Sequence, residues 1–309
     1  MTTFTNDGSG QPPPEHQHSD HPRGEILSPT GEHVAIPEYA PAESPQRRER
    51  SGWNPMGSPA TYALTAINLG VFVLMVLHGV SPKYPETSDL VHWGANLGWA
   101  DYSAPVVRDA HGAIVSGAYH GQWWRLLTAT FEHVGLIHLL TNMWCLWNLG
   151  LLGEPLLGPW GLAATYILTG VAGNLLSTAM HPNIVGAGAS GAVFGIAGIL
   201  IVLLSNKKLP IPWLELKKLR RSVIWFALLN LFIGIGFGSG WFDGIHIDNF
   251  AHIGGCLCGL ALGVPLLPRM TAGRARYLAR QKVVFPAGAL VLALAGYWLS
   301  SFTAGVVAH

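Results

Sequence analysis

The feature that most restricts the fold of this chain is a series of apolar stretches, each near the length of a membrane span. They lie at about residues 60–79, 136–153, 160–180, 189–205, 222–238, 250–267 and 283–302. A helix that crosses a bilayer needs about 20 apolar residues, with a range of about 17–25. Charged residues make up 11% of the chain, whereas soluble domains carry about 25%. The sequence therefore predicts an all-α polytopic membrane protein with seven transmembrane helices.

The first 52 residues have a different composition. They contain eight prolines before position 46, and their only aromatic residues before Trp53 are Phe4 and Tyr39. Such a segment cannot bury a core, so we predict a disordered tail over residues 1–52. We expect its histidines to be solvated, although metal binding by them stays open. The first fifty residues also lack the apolar core of a cleavable signal peptide.

Basic residues predict the orientation in the membrane. One cluster precedes the first helix, a second lies between helices four and five, and a third lies between helices six and seven. The residues are Arg47, Arg48, Arg50; Lys207, Lys208, Lys217, Lys218, Arg220, Arg221; and Arg269, Arg274, Arg276, Arg280, Lys282. By the positive-inside rule the N-terminal tail is cytoplasmic, and the long first loop, at about residues 80–135, is external.

The three cysteines and the net charge indicate little about the function of the chain. Cys145, Cys256 and Cys258 all fall in apolar segments, where small packing residues are expected more than disulfides. Cys256 and Cys258 as half of a metal site remain an open alternative. The formal net charge of +1 gives no indication of a nucleic-acid partner.

Four polar side chains lie in the apolar segments at one predicted depth. They are His138, Asn142, Ser190 and His252. A polar group in hydrocarbon costs several kcal/mol if it is left unpaired. Helices two, four and six all run from outside to inside, and each of these residues lies near the start of one of them. The sequence therefore predicts a polar layer a few turns below the external surface.

This layer has the composition of an acyl-transfer site. A serine hydroxyl becomes a nucleophile when an adjacent base takes its proton, and the imidazole of His252 is largely neutral at pH 7. Ser190 opens a helix, so free backbone N–H groups lie beside it and can stabilise an oxyanion. His138 and Asn142 are spaced i, i+4 and share a helix face, from which both can donate to the same oxyanion. Asp248 is a possible third member, although a helix-start role is expected.

Other interpretations of the same residues stay open. An isolated membrane serine usually bonds to its own helix carbonyl, and an isolated membrane histidine can be a packing residue or a proton relay. A transporter or proton-coupled channel using His138 and His252 is therefore an alternative, although no inverted repeat is visible. The glycines near Ser190 and His252 are also expected to be helix-packing surfaces. The chain lacks a His-Glu-x-x-His motif and a pair of membrane aspartates, which disfavours zinc and aspartyl intramembrane proteases.

A set of short motifs resembles the rhomboid intramembrane serine proteases in content and order. The motifs are Trp124-Arg125, His133, His138-Leu-Leu-Thr-Asn142, Glu154, Gly188-Ala-Ser190-Gly191 and Ala251-His252-Ile-Gly-Gly255. The resemblance covers about residues 120–265. It implies a rhomboid-like six-helix catalytic bundle over residues 53–268. Residues 269–309 would then add a basic cytoplasmic loop and a seventh transmembrane helix at the C-terminus.

The resemblance also implies roles for individual residues. Ser190 would be the nucleophile, His252 the general base, and His138, Asn142 and the Ser190 amide the oxyanion hole. A residue one turn after the serine packs against the catalytic histidine in this family; here it is Phe194, which lacks the hydroxyl of a tyrosine. The other supporting residues implied are Trp124, Arg125, Gly188, Gly191, Gly255 and Gly259. Glu154 is expected to be structural.

The function implied is intramembrane serine endopeptidase activity on the transmembrane segments of other membrane proteins. Membrane lipid is the other expected partner, neither metal nor organic cofactor is expected, and the oligomeric state is open. The expected location is a bacterial cytoplasmic membrane, with the site near the external face. The glycine-rich loop that bears Trp241 and Phe242 is either a mobile cap over the site or an ordinary interfacial loop, and both interpretations stay open. The alternative is an inactive relative that binds the transmembrane helices of client proteins.

Overall fold

The computed structural model describes residues 57–98, 121–182, 184–238, 248–267 and 271–307. In these ranges the regular structure is helical, apart from one isolated bridge between Asn96 and Gly186. The helices are α1 (Pro59–Leu77), α2 (Thr87–Trp93), α3 (Arg125–Thr128), α4 (Leu136–Met180), α5 (Ser190–Leu203), α6 (Trp213–Gly238), α7 (Asn249–Leu266) and α8 (Arg274–Val307). The predicted tail lies outside the described residues. The all-α prediction is confirmed for the residues that the structure describes.

Four of the described helices are long and apolar enough to cross a membrane. They are α1, α4, α7 and the part of α8 from Arg274 to Ser301. Helix α5 is apolar but has only 14 residues. The chain is thus a multi-pass membrane protein with an all-helical fold, and four candidate spans lie within its described residues.

Helix α4 contains two of the predicted apolar runs. It has 45 residues, and its helical backbone is interrupted at Gly158, where φ is 78° and ψ is 164°. Glycine adopts a positive φ without the steric cost that other residues incur. After this break the helix returns beside the segment that precedes it, since the Tyr166 hydroxyl donates to the Thr130 carbonyl oxygen at 3.1 Å. Helix α4 is therefore a helical hairpin, and we call its parts before and after Gly158 the first and second halves.

Helices α6 and α8 begin about nine residues before the predicted apolar runs. The prediction that Lys217–Arg221 and Arg274–Lys282 lie in loops was wrong, because both segments are helical. The reason is amphipathicity: Leu216 and Val223 of α6 are buried, whereas the charged side chains between them lie on the outer face. Lysine and arginine are good helix formers, so an apolar-run criterion places the start of such a helix too late.

Helix α5 is the centre of the core, and glycines bring α7 against it. All residues from Gly191 to Leu200 are buried. A Cβ atom at Gly255 of α7 would lie 1.9 Å from the Gly191 carbonyl oxygen, and a Cβ at Gly259 would lie 2.0 Å from that of Gly195. The two backbones therefore touch. This contact fixes the separation of the helices that carry Ser190 and His252.

Candidate active site

Three of the residues selected from the sequence lie at the starts of three different helices. Ser190 is the first residue of α5, His252 is the fourth residue of α7, and His138 is the third residue of α4. Asn142 follows His138 by one helical turn. Because these helix starts meet around α5, the polar side chains share one end of the bundle.

Ser190 lies where the backbone leaves N–H groups without a helical partner. The first intrahelical bond at this end of α5 runs from the Val193 N–H to the Ala189 carbonyl oxygen at 2.9 Å. The first N–H groups of a helix have no acceptor within it. Just before the helix, Gly188 has φ +142°, and its N–H donates to the Ala129 carbonyl oxygen at 2.9 Å. Ser190 itself is half-buried.

His252 is held against α5 by a ring contact. Its side chain is buried, and its imidazole stacks on the Phe194 ring with centroids 4.2 Å apart and an interplanar angle of 7°. The contact expected between these two residues is therefore present. Among the residues that the structure describes, none forms a hydrogen bond with the Nδ1 atom of His252. Within the part of the chain that the structure describes, no hydrogen bond joins Ser190 to His252.

His138 lies beside the turn that leads into Ser190. A Cβ atom at Gly188 would come within 2.7 Å of its Cε1 and 3.0 Å of its Nε2, so the absence of a side chain at Gly188 makes room for the imidazole. The Nδ1 atom accepts the Val134 N–H at 3.3 Å. In a neutral imidazole this leaves the proton on Nε2, which is then a donor facing the Gly188 turn.

Asn142 is buried and bonds within its own helix. Its Nδ2 donates to the His138 carbonyl oxygen at 2.9 Å, which uses one of the two amide hydrogens. The second hydrogen is available to another acceptor. Asn142 and His138 therefore lie on one face of α4, as their spacing predicts.

Asp248 forms its hydrogen bonds away from the imidazole of His252. Its Oδ1 accepts the Ala251 N–H at 3.0 Å, and its Oδ2 accepts the Ser177 hydroxyl of α4. Both contacts belong to an N-cap residue at the start of α7. This is the helix-start role expected for Asp248 from the sequence.

Trp124 and Arg125 connect α3 to the end of α2. The Arg125 guanidinium is buried, and its Nη1 donates to the Val91 and Ala95 carbonyl oxygens at 2.8 and 3.1 Å. Its Cζ lies 4.5 Å from the centroid of the Trp124 ring, within the range of a cation–π contact. The pair therefore fastens two segments of the first loop to each other.

Two buried ionisable residues lie next to this pair, and one of them was missed in the sequence. Glu132 and His133 are each 1% exposed, and no side-chain oxygen or ring nitrogen of either has a hydrogen-bond partner among the described residues. Burial raises the pKa of Glu132 to about 8, with Arg125 opposing the shift. Burial, and then His138, lower the pKa of His133 to about 3. No signal in the sequence singles out Glu132, which lies in the predicted external loop.

Glu154 caps a helix start at the opposite end of the first half of α4. Its carboxylate accepts the N–H groups of Ala60 and Thr61 at 2.9 and 2.8 Å and the Thr61 hydroxyl at 2.7 Å. Pro59 at the first position of α1 has no N–H to offer. Glu154 thus satisfies the next two N–H groups of α1, which is a structural contact. Trp241 and Phe242, the residues of the predicted cap, lie outside the described residues.

The comparisons with known proteins agree on one family. Residues 120–269 match the model of the rhomboid domain. The chain is 32% identical over 226 residues to "Rhomboid protease GluP" of Bacillus subtilis (strain 168), a match that covers 71% of this chain and 38% of that protein. It is 28% identical over 206 residues to "Rhomboid-like protease 2" of Toxoplasma gondii, covering 65% and 63%. It is 34% identical over 146 residues to "RHOMBOID-like protein 7" of Arabidopsis thaliana, covering 47% and 44%.

The chain spans less than half the length of the Bacillus and Arabidopsis relatives, so their whole-protein activities do not transfer to it directly. The matched domain nevertheless contains every helix start that carries a polar residue of the candidate site. The membrane-spanning helices, the ordered motifs and the rhomboid-domain match agree, and this chain is a membrane protein of the rhomboid family.

Proposed function

We propose that this protein is an intramembrane serine endopeptidase that cleaves transmembrane segments of other membrane proteins. The observation that carries the proposal is the meeting of three helix starts, which carry Ser190, His252 and His138, around the glycine contact of α5 with α7. The six-helix catalytic bundle with one added C-terminal helix belongs to this proposal, as does a cytoplasmic N-terminus with the site near the external face.

The proposed reaction uses two residues for the chemistry. Nε2 of His252 takes the proton of the Ser190 hydroxyl as Oγ attacks the substrate carbonyl carbon, which gives a tetrahedral oxyanion. The same imidazole then protonates the leaving amine as the C–N bond breaks, leaving an acyl-enzyme. Water hydrolyses this ester by the reverse sequence, with His252 as base and then as acid. Stacking on Phe194 supports the ring orientation that both proton transfers need.

The oxyanion would be stabilised by three donors. They are the Ser190 backbone N–H at the start of α5, the Nε2–H of His138 and the second Nδ2 hydrogen of Asn142. The Val134 N–H on the Nδ1 of His138 supports the required tautomer. Donors held ready before reaction stabilise developing charge without reorganising, and loss of one such donor typically costs about 10²–10³ in rate.

The substrate must expose a carbonyl group to Ser190. A transmembrane helix keeps its carbonyls in i→i−4 bonds, so the proposed substrates are segments with small or helix-breaking residues near the cleaved bond. The chemistry described here needs neither a metal nor an organic cofactor.

The test is cleavage of a single-span substrate in reconstituted vesicles by the wild type, Ser190→Ala and His252→Ala. We expect cleavage by the wild type, loss in both variants, and unchanged thermal unfolding. A fluorophosphonate that reacts with activated serines should label the wild type and not Ser190→Ala. Cleavage that survives Ser190→Ala would contradict the proposal.

A second candidate is an inactive relative that binds transmembrane helices. The specific observation in its favour is that Ser190 and His252 are not hydrogen-bonded to each other among the described residues. Catalytic hydrogen bonds are often loose in the absence of substrate, so the first candidate is preferred. A wild type that neither cleaves helix-destabilised substrates nor reacts with the fluorophosphonate would favour the second.

A further inference from the structure

We propose that Asp248 and Ser177 are positioning residues for His252, and that their hydrogen bond holds α7 at the height and rotation that direct the imidazole toward Ser190. The inference rests on the protease function proposed above. In this inference Asp248 orients the helix and does not act as a charge relay. Ser177 of α4, which the family motifs in this chain do not include, is added to the residues that support the site.

The glycine contact between α5 and α7 sets the distance between the two helices near Ser190. The position of α7 along its own axis is a separate quantity. Gly255 and Gly259 press against the carbonyl groups of Gly191 and Gly195. Contacts between glycine backbones set how close two helices lie, because no side chain intervenes. Side chains interlock farther along the contact, where Val202 and Ile199 of α5 lie at Gly263 of α7. A contact at the start of α7 would fix the height of His252 directly.

Asp248 provides this contact at the start of α7. Its Oδ1 accepts the Ala251 N–H at 3.0 Å, and its backbone carbonyl oxygen accepts the His252 N–H at 3.3 Å. Its Oδ2 accepts the Ser177 hydroxyl, which lies in the second half of α4. The Asp248 carboxylate therefore ties the first turn of α7 to a neighbouring helix. It holds this turn at Ala251, the residue directly before the proposed base.

The Ala251 carbonyl is held by α4 as well. A Cβ atom at Gly173 would lie 2.6 Å from the Ala251 carbonyl oxygen, and Gly173 precedes Ser177 by one helical turn. The peptide groups on both sides of Ala251 are thus fixed, one by the Asp248 carboxylate and one by packing against α4. His252 follows directly, so any shift of this turn moves the imidazole.

Each oxygen of the Asp248 carboxylate accepts a hydrogen bond from a group other than the imidazole. The side-chain hydrogen bonds of Asp248 go to Ala251 and Ser177, and the Nδ1 atom of His252 has no partner among the described residues. A charge-relay aspartate would accept the Nδ1–H of the base. The geometry therefore supports orientation of the helix and not stabilisation of the imidazolium. Misplacement by about 1 Å can cost about 10²-fold in rate.

The experiment uses the full chain in vesicles, with three readouts: kcat and KM on a single-span substrate, the rate of Ser190 labelling by a fluorophosphonate, and thermal unfolding. For Asp248→Ala and Ser177→Ala we expect kcat and the labelling rate to fall together, by about tenfold or more, with little change in KM. The double variant should be no slower than Asp248→Ala, because both changes remove one contact.

Two matched variants separate positioning from charge and from general packing. Asp248→Asn keeps an oxygen for the Ala251 N–H and gains an amide that can donate to the Ser177 oxygen, so we expect activity within about threefold of wild type and an unmoved acid limb of the pH–rate profile. Thr165→Val removes a buried hydroxyl in the same half of α4, whose bond goes to Gly161 of its own helix at 2.7 Å. It should keep the wild-type kcat.

Three results would overturn the inference. Asp248→Asn as inactive as Asp248→Ala would assign the carboxylate a charge role. Ser177→Ala with wild-type kcat and labelling would show that the contact with α4 positions nothing. Losses of kcat and labelling rate that equal the loss of folded protein would show that the contact only stabilises the fold. A wild type that neither cleaves nor labels would instead reject the protease function itself, and the inference with it.

Discussion

The stacking of Phe194 on His252 is the residue-level contact most directly linked to the proposed chemistry. A parallel ring 4.2 Å away restricts rotation of the imidazole and excludes water from one of its faces. We expect Phe194→Ala to lower kcat by at least about tenfold, since the base loses a fixed orientation. Phe194→Tyr keeps the ring and should retain activity, and cleavage assays on both variants measure the difference. Equal activity of Phe194→Ala and wild type would show that the stacking is incidental.

The second residue-level prediction concerns Glu132 and pH. Its pKa is raised from 4.5 to about 8, so the folded state holds a proton that the unfolded state releases above about pH 4.5. The free energy of unfolding therefore falls as the pH rises through the window from about 4.5 to 8. Glu132→Gln removes this titration, so its thermal stability should gain on that of wild type across the window. A difference in melting temperature between the two proteins that stays constant over this pH range would contradict the raised pKa of Glu132.

At the scale of elements, the contact of α5 with α7 depends on the absence of side chains. A Cβ at Gly255 would lie 1.9 Å from the Gly191 carbonyl oxygen, and backbone cannot move aside as the end of a flexible side chain can. Gly255→Ala should therefore separate the two helices, with loss of cleavage and a lower melting temperature. Gly70→Ala is the control, because a Cβ at Gly70 of α1 meets nothing within 4 Å. An unaffected Gly255→Ala protein would contradict the close approach.

The elements also show how far sequence reasoning extends. Apolar length predicted the helices that begin at Pro59, Ser190 and Asn249 to within about one residue, because each starts where hydrophobicity begins. It placed the starts of α6 and α8 too late, since their first turns carry charged residues on an exposed face. The first half of α4 was separated correctly from the second, but the single break at Gly158 follows from a positive φ that hydropathy does not encode.

For the site, the sequence predicted which residues lie at helix starts, and the family resemblance predicted the contact of Phe194 with His252, but the partners contributed by other helices were not predicted. The hydrogen bond of Asp248 with Ser177 and the buried state of Glu132 depend on neighbours more than 30 residues away along the chain, such as Ser177 and Gly94. Spacing within one helix carries no information on such partners. The roles of Ser190, His252, His138 and Asn142 remain predictions to be tested by substitution.

At the scale of the whole molecule, a buried amide hydrogen bond joins the C-terminal helix to α4, beside the apolar packing of Val284 and Phe285 in the core. Gln281 of α8 is 1% exposed, and its Nε2 donates to the Leu157 carbonyl oxygen at 2.8 Å, next to the break in α4. We expect Gln281→Leu to destabilise the protein by about 1–2 kcal/mol, because the carbonyl loses its donor. Ser190 labelling below the melting temperature should be unchanged, since α8 lies outside the site. Chemical unfolding in detergent measures the loss.

Lys282→Gln is the matched control, because Lys282 follows Gln281 directly and its own side chain is exposed. It should unfold at the same denaturant concentration as wild type. Equal stability of Gln281→Leu and Lys282→Gln would mean that apolar packing alone holds α8 in place.

The shortness of α5 has a consequence for how a cleavage position would be chosen. Fourteen residues make a helix of about 21 Å, against a hydrocarbon layer of about 30 Å. The neighbouring helix α7 has 18 residues and is longer than α5, so we expect the first residue of α5 to lie below the membrane surface. For a protease of this design, the scissile bond is the one that reaches the depth of Ser190. Depth in the membrane then determines the cleavage position, and a thicker bilayer should shift that position along the substrate.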